Sequence, residues 1–178
     1  MRLALTSLIL ALLFSSCSRM SEEQLWYTAK QNYEQGKFKE AIENYREIVD
    51  RFKDSKEAPT AQWTIAQIYN SDLKDFRGAI VEYRKYIELY PNNAQTPKAM
   101  FLIGFIYNND LHNIDSAKIA YETYLSKYPN DELAQSAQME IMTLGKDPSE
   151  LIQPEVALKE ETPNTAMKPE SGKVQKKK

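Results

Sequence analysis

The fold is decided by the stretch AIVEYRKYIELYP, residues 79–91. The same pattern stands again at an equal spacing on either side, as AKIAYETYLSKYP (117–129) and as AIENYREIVDRFK (41–53). Self-similarity at a fixed period is the signature of a repeat protein. The apolar residues of each copy fall on one stripe of a helix, which predicts one amphipathic helix, helix B, per repeat. The matched columns are Ala41, Ala79 and Ala117; Tyr45, Tyr83 and Tyr121; Ile48, Tyr86 and Tyr124; Val49, Ile87 and Leu125; and Phe52, Tyr90 and Tyr128.

A second amphipathic element, helix A, precedes each helix B and carries a small residue in each unit. These small residues are Ala29, Ala66 and Gly104. They allow the two helices to approach closely, and Gly104 needs a steric reason because glycine weakens a helix by about 1 kcal/mol relative to alanine. The turns between A and B are predicted at Gly36 and at the polar stretches 70–75 and 108–113. Each unit is therefore predicted to be a helical hairpin.

Prolines and caps mark the predicted helix boundaries. Pro91 and Pro129 follow the last aromatic of helix B, where a proline ring ends a helix. Thr96 followed by proline predicts an N-cap for the next helix A. In the first unit Lys53 stands where the later units have proline, which predicts a softer boundary. Residues 132–144 match a final helix A without a partner, capped by Gly145.

The repeat resembles the tetratricopeptide repeat. The residues of the first unit that carry the resemblance are Ala29, Tyr33, Gly36, Phe38, Ala41, Tyr45 and Phe52. The later units are longer than the usual 34 residues and end in Tyr-Pro. In these two features they resemble the repeats of the BamD-like assembly lipoproteins first and those of the CpoB-type periplasmic proteins second. Over residues 22–146 the resemblance implies an all-α fold, a right-handed superhelix of antiparallel helical hairpins with about three repeats and a C-terminal capping helix.

The N-terminus is typical of an exported protein. An apolar run over residues 3–14 follows a positive start and leads through small residues to Cys17. The run is too short to span a bilayer. Residues 1–16 are predicted to be a lipoprotein signal peptide, and 17–21 a lipidated linker that begins at Cys17.

The segment before Cys17 resembles a bacterial lipobox with one departure. Phe14 stands where that family usually has leucine, so ordinary cleavage after Ser18 is the alternative. With lipidation, the residue after the cysteine implies the outer membrane, with the chain facing the periplasm. Acyl chains on Cys17 would then attach the protein to the membrane.

Composition narrows the partners. The chain has 178 residues and a formal net charge of −2, which gives no field to recruit nucleic acid. Beyond the repeats, residues 147–178 are rich in proline and polar residues and end in three lysines. We predict that this tail is disordered.

No catalytic or cofactor motif stands out in the chain. It has one histidine, His112, in a polar turn, and one cysteine, so no common zinc arrangement can be completed. Carboxylates on helix B, such as Glu43, Glu47 and Asp50, fall opposite the aromatics and are interpreted as its solvated face. The sequence has no glycine-rich phosphate loop and no nucleophile elbow. We predict a protein that is not an enzyme and holds neither cofactor nor metal.

The resemblance implies that helices A line a concave groove for a peptide or a helix of another protein. The positions carried over are Trp26, Lys30, Tyr33, Trp63, Gln67, Asn70, Phe101, Phe105 and Asn108. A ladder of Trp26, Trp63 and Phe101 beside amides would suit an extended apolar segment. The alternative is that these rings pack inside the hairpins, and for Trp63 a shift of one residue decides between the two.

Two functions remain open from the sequence. The first is a non-catalytic scaffold resembling BamD, whose partners would be subunits that assemble outer-membrane β-barrels. The second is an envelope adaptor of the CpoB or pilotin sort, tied to cell-wall synthesis, division or an appendage.

Overall fold

The structure is a computed structural model that describes residues 19–146. The signal peptide predicted at 1–16, the cysteine Cys17 and the tail predicted at 147–178 lie outside the described residues. The described part is all helical, as predicted, and within it no helix has the length and apolar character needed to cross a membrane. Its seven α-helices are α1 (Glu22–Glu34), α2 (Phe38–Arg51), α3 (Glu57–Gln67), α4 (Phe76–Leu89), α5 (Thr96–Phe105), α6 (Ile114–Lys127) and α7 (Ala134–Thr143).

The helices form a stack of hairpins in chain order. Helices α1, α3 and α5 are the predicted helices A, and α2, α4 and α6 are the predicted helices B. Each helix packs against the next one along the chain. Hairpin 1 is α1–α2, hairpin 2 is α3–α4 and hairpin 3 is α5–α6, while α7 covers hairpin 3 by packing on α6. The helical-hairpin solenoid predicted from the repeat is therefore confirmed.

The three helices B end at equivalent positions. Arg51, Leu89 and Lys127 are their last residues, and in each case the following aromatic donates its N–H to the carbonyl four residues back. Pro91 and Pro129 stop the second and third as predicted. Hairpin 1 ends in the same register although Lys53 stands in place of a proline, so a proline is not required at this boundary.

The turn from A to B differs between hairpin 1 and the later two. The predicted turns 70–75 and 108–113 are wrong at their N-terminal ends, because helix A continues as a π-helical turn, Ile68–Asp72 and Ile106–Asp110. Gly36 stands seven positions after Ala29, whereas Lys74 stands eight positions after Ala66. A π turn takes up one extra residue. It therefore absorbs the one additional residue in the A-to-B connection of the later repeats.

A left-handed backbone conformation closes each of these turns. Gly36, Lys74 and His112 stand at the same position in the three hairpins and have φ angles of 72°, 53° and 49°. In hairpin 1 the N–H groups of Gly36 and Lys37 bond the carbonyls of Tyr33 and Asn32, which is a Schellman cap. Only the first hairpin has glycine at this position.

The start of α5 lies one residue earlier than predicted. Thr96 is the first helical residue and Gln95 is the N-cap, so the prediction that Thr96 is the cap is wrong. The buried Thr96 hydroxyl donates instead to the Tyr90 carbonyl at 2.6 Å. The same carbonyl also accepts from the Asn93 N–H at 3.1 Å, so two donors hold the residue that follows α4. The final helix is shorter than predicted, Ala134–Thr143, and Gly145 follows it with φ of 72°.

The core runs along the stripe of helix B. Tyr45, Tyr83 and Tyr121 are 4%, 2% and 0% exposed, as the repeat predicts. Gly104 lies against the ring of Tyr121, which is the predicted steric reason for a glycine inside a helix. Burial of these aromatic faces supplies most of the apolar contact between the helices.

Candidate partner-binding surface

The three rings of the predicted ladder pack inside the hairpins. Each contacts the first repeat tyrosine of its own hairpin, with ring centroids 5.3 to 5.4 Å apart. The pairs are Trp26 with Tyr45, Trp63 with Tyr83, and Phe101 with Tyr121. All three rings are half-buried. These rings therefore pack in the hairpins, which is the alternative given above, and their role in partner binding stays a prediction.

The sequence contained the signal for this packing. Trp26, Trp63 and Phe101 each stand three residues before the small residue of helix A, Ala29, Ala66 or Gly104. Residues three apart share a helix face. Because the small residues face helix B, the rings before them face it as well.

A row of accessible side chains remains on helix A. Lys30, Gln67 and Phe105 hold the same position in three successive helices A, and all three are exposed. Phe105 is 40% exposed and Tyr33, one turn below Lys30, is 39% exposed. We call Lys30, Tyr33, Gln67 and Phe105 the helix-A surface. An aromatic ring left this accessible can become buried against a partner.

The two asparagines of the predicted groove are less accessible. Asn70 and Asn108 are half-buried. The Asn108 amide donates to the Glu140 carboxylate at 3.0 Å, so α7 already occupies it. The Asn70 side-chain oxygen is buried and has no hydrogen-bond partner within residues 19–146.

A cleft of about 430 Å³ opens between α1 and the start of α3. Its walls are Glu22, Glu23, Trp26, Lys56, Glu57 and Thr60. Trp26 thus presents one side to Tyr45 and another to the cleft. Three carboxylates and one lysine make the rim acidic, which favours a polar or cationic segment.

The ionisable groups of the core have a structural role. Burial raises the pKa of Tyr83 and of Tyr86 to about 12, so both are neutral near neutral pH. The hydroxyl of Tyr124 donates to Asp131, and burial followed by this bond raises the pKa of Tyr124. His112 is exposed in its turn, and residues 19–146 contain no cluster of three potential metal ligands.

Comparison with known proteins places this hairpin stack in a family. The sequence profile of YfiO, outer membrane lipoprotein, matches residues 18–150. The chain therefore belongs to the YfiO family of outer membrane lipoproteins, and the resemblance to BamD-like lipoproteins is confirmed. No curated protein matches the chain significantly.

One of the similar solved structures is the first tetratricopeptide-repeat domain of Spaghetti (RPAP3) bound to an HSP90 peptide. It has 25% identity to this chain and a TM-score of 0.46. The similarity covers 68% of this chain and 90% of that one.

Proposed function

We propose that this protein is a non-catalytic scaffold that holds other proteins of the bacterial envelope. It is attached to the periplasmic face of the outer membrane through lipid on Cys17 and takes part in the assembly of outer-membrane β-barrel proteins. Membership in the YfiO family supports the envelope location and the class of protein. The single observation that carries the scaffold function is the exposed Phe105 on the helix-A surface.

Phe105 is unusual for its position in the repeat. The equivalent residues of hairpins 1 and 2 are Lys30 and Gln67, which water solvates readily. A large apolar side chain that stays 40% exposed in this position contributes less to the hairpin than a fully buried one, and it contributes strongly to an interface when a partner covers it. Truncation of an aromatic side chain at the centre of an interface typically costs about 2 kcal/mol or more of binding free energy.

Site-specific cross-linking in membranes tests the proposal. A photoreactive amino acid replaces Phe105 in the full-length lipidated chain, and the same amino acid replaces the exposed Glu43 of helix α2 as a matched control. Capture of barrel-assembly subunits from position 105 and not from position 43 is expected. Capture of Tol-Pal components or cell-wall synthases from position 105 would instead support the envelope-adaptor function.

The anchor needs its own measurement. Cys17→Ser is expected to shift the protein from the membrane fraction to the soluble fraction, because the acyl chains supply the membrane affinity. Mass spectrometry of the mature wild-type N-terminus should show a lipid-modified cysteine. A mature chain that begins after Ser18 would contradict the anchor and leave the helix-A surface untouched.

A further inference from the structure

A buried polar cluster joins hairpin 1 to hairpin 2. The Arg46 guanidinium donates to one carboxylate oxygen of Glu82 at 2.6 Å, and the Gln62 amide donates to the other at 2.8 Å. Gln62 also donates to the Glu82 main-chain carbonyl at 3.0 Å. Gln62 is fully buried and Glu82 is 7% exposed. This interface therefore contains a carboxylate that both a cation and an amide hold in place.

The equivalent place between hairpins 2 and 3 lacks the carboxylate. A step of one repeat along the sequence takes Arg46 to Arg84, but it takes Glu82 to Ala120. The same step takes Gln62 to Met100. The cation therefore recurs while its acid and its amide are replaced by apolar residues.

A cavity of about 470 Å³ lies at this second interface, where α4, α5 and α6 meet. We call it the α4–α6 cavity, and its lining includes Arg84, Ile87, Met100, Ile119, Ala120 and Lys127. All three residues equivalent to the polar cluster are among them. Removal of the carboxylate and amide thus coincides with an open space at this interface, of a volume typical of binding pockets.

The charges of the cavity are of one sign. Arg84 donates to the Tyr107 hydroxyl at 3.2 Å and makes no ion pair within residues 19–146. Lys127 is a second cation in the lining, and the described lining residues include no carboxylate. Ile119, an aliphatic residue of the lining, is 64% exposed. The lining thus combines two cations with aliphatic residues, beside the hydroxyl groups of Tyr107, Ser116 and Thr123.

We propose that the α4–α6 cavity binds a segment of a partner protein that places a glutamate or aspartate carboxylate on Arg84 and an adjacent aliphatic side chain against Met100 and Ile119. The partner's carboxylate pairs with Arg84 as the Glu82 carboxylate pairs with Arg46 between hairpins 1 and 2. A planar guanidinium suits a carboxylate in this geometry. The proposal rests on the scaffold function but concerns a different set of residues, since none of Lys30, Tyr33, Gln67 and Phe105 lines the cavity.

Nuclear magnetic resonance titration of the full-length protein tests this site. The probe is acetyl-Leu-Glu-Leu-amide, and the matched probe has Gln in place of Glu. Shifts of the Arg84 side-chain N–H and of the Ile119 methyl groups are expected with the Glu probe, with about tenfold tighter binding than the Gln probe because the bond is charge-assisted. Equal affinities, or no shift at millimolar Glu probe, would overturn the proposal.

Two variants and one control variant locate the binding. Ala120→Glu supplies the missing carboxylate internally and is expected to abolish the Glu-probe shifts. Ser126→Glu is the control: it adds the same charge at an exposed position of α6 outside the lining and should leave the shifts in place. Arg84→Gln removes the cation at an exposed position and should equalise the two probes even if Ala120→Glu folds poorly. Unchanged discrimination between the probes in Arg84→Gln would overturn the assignment.

Two further outcomes separate the alternatives. A dimer in sedimentation that Ala120→Glu disperses would identify a second copy of this chain as the occupant and overturn the assignment to a partner protein. Cross-linking from position 105 is independent of the cavity. Loss of the probe effect with intact cross-linking would therefore leave the proposed function standing and refute only this site.

Discussion

Gly104 lies directly under the ring of Tyr121. A Cβ atom on Gly104 would stand 2.7 Å from both Cδ1 and Cε1 of that ring, well inside contact distance. Tyr121 is fully buried, so its ring has little room to retreat. Helices α5 and α6 therefore approach each other more closely than a methyl group permits.

Gly104→Ala should destabilise the protein although alanine is the better helix former. Overpacking of a filled core costs about 1 to 3 kcal/mol. The gain in helix propensity from glycine to alanine is about 1 kcal/mol, so the overpacking cost outweighs it over most of that range. Urea unfolding followed by circular dichroism measures the change. Ala66→Gly is the companion variant in hairpin 2, and it should lose about 1 kcal/mol from helix propensity and about 0.8 kcal/mol more from the buried methyl group that it removes. A stabilised Gly104→Ala protein would show that the ring moves freely.

Lys74→Gly and His112→Gly should each stabilise the protein by about 1 kcal/mol. Both residues have positive φ angles, and a residue with a side chain is about 1 to 2 kcal/mol less stable than glycine in this conformation. Gly36→Ala should lose a similar amount, although nothing lies within 4 Å of the added methyl group, because the strain is in the backbone. Melting temperatures of the three variants test this pattern, and a loss of stability in Lys74→Gly would contradict it.

Tyr83→Ala and Phe105→Ala should separate the core from the helix-A surface. Tyr83 is 2% exposed, and truncation of a buried aromatic costs about 3 to 5 kcal/mol. Phe105 is 40% exposed, so its truncation should lower the melting temperature much less than Tyr83→Ala does, while partner capture falls. Calorimetry with cross-linking measures both effects. Equal melting losses would place Phe105 in the core and remove the basis of the proposed surface.

Alkaline pH should unfold the protein through its buried tyrosines. Burial raises the pKa of Tyr83 and Tyr86 from 10.0 to about 12, so their folded state favours the neutral form. This contribution is complete below about pH 10 and is lost as the pH rises towards about 12. The urea midpoint should fall across that interval, and Tyr83→Phe should make the fall shallower. An identical slope in Tyr83→Phe would exclude Tyr83 as a source.

The sequence was sufficient for the order and pairing of the helices and for the core, but not for every helix boundary. Tyr45, Tyr83 and Tyr121 recur at the interval of the hairpins, and each faces inward because a fixed period with a fixed helix stripe leaves one buried side. The capping glycines Gly36 and Gly145 were also predictable, since a positive φ favours glycine. The same spacing applied to Gly36 would have found Lys74 as well.

The partner-binding surface was harder to predict, because a shift of one residue along helix A decides whether a side chain packs against helix B or points into solvent. Trp63 shows this: its ring contacts Tyr83 and Tyr86 and lies under Lys98, whose Nζ is 5.9 Å from the ring centroid. The polar cluster around Glu82 was missed for a different reason. A carboxylate on a helix is normally solvated, and only the packing of the next hairpin shows that this one is covered.

The π turns after α3 and α5 determine where the chain tolerates a change in length. One residue inserted within a helix turns everything beyond it by about 100° about the axis, so the tyrosines would swing away from their partners. At these two corners the widened turn takes up the residue, and helix B begins in its usual orientation. Length variation among such repeats can therefore accumulate at the corners while the tyrosine stripe stays fixed.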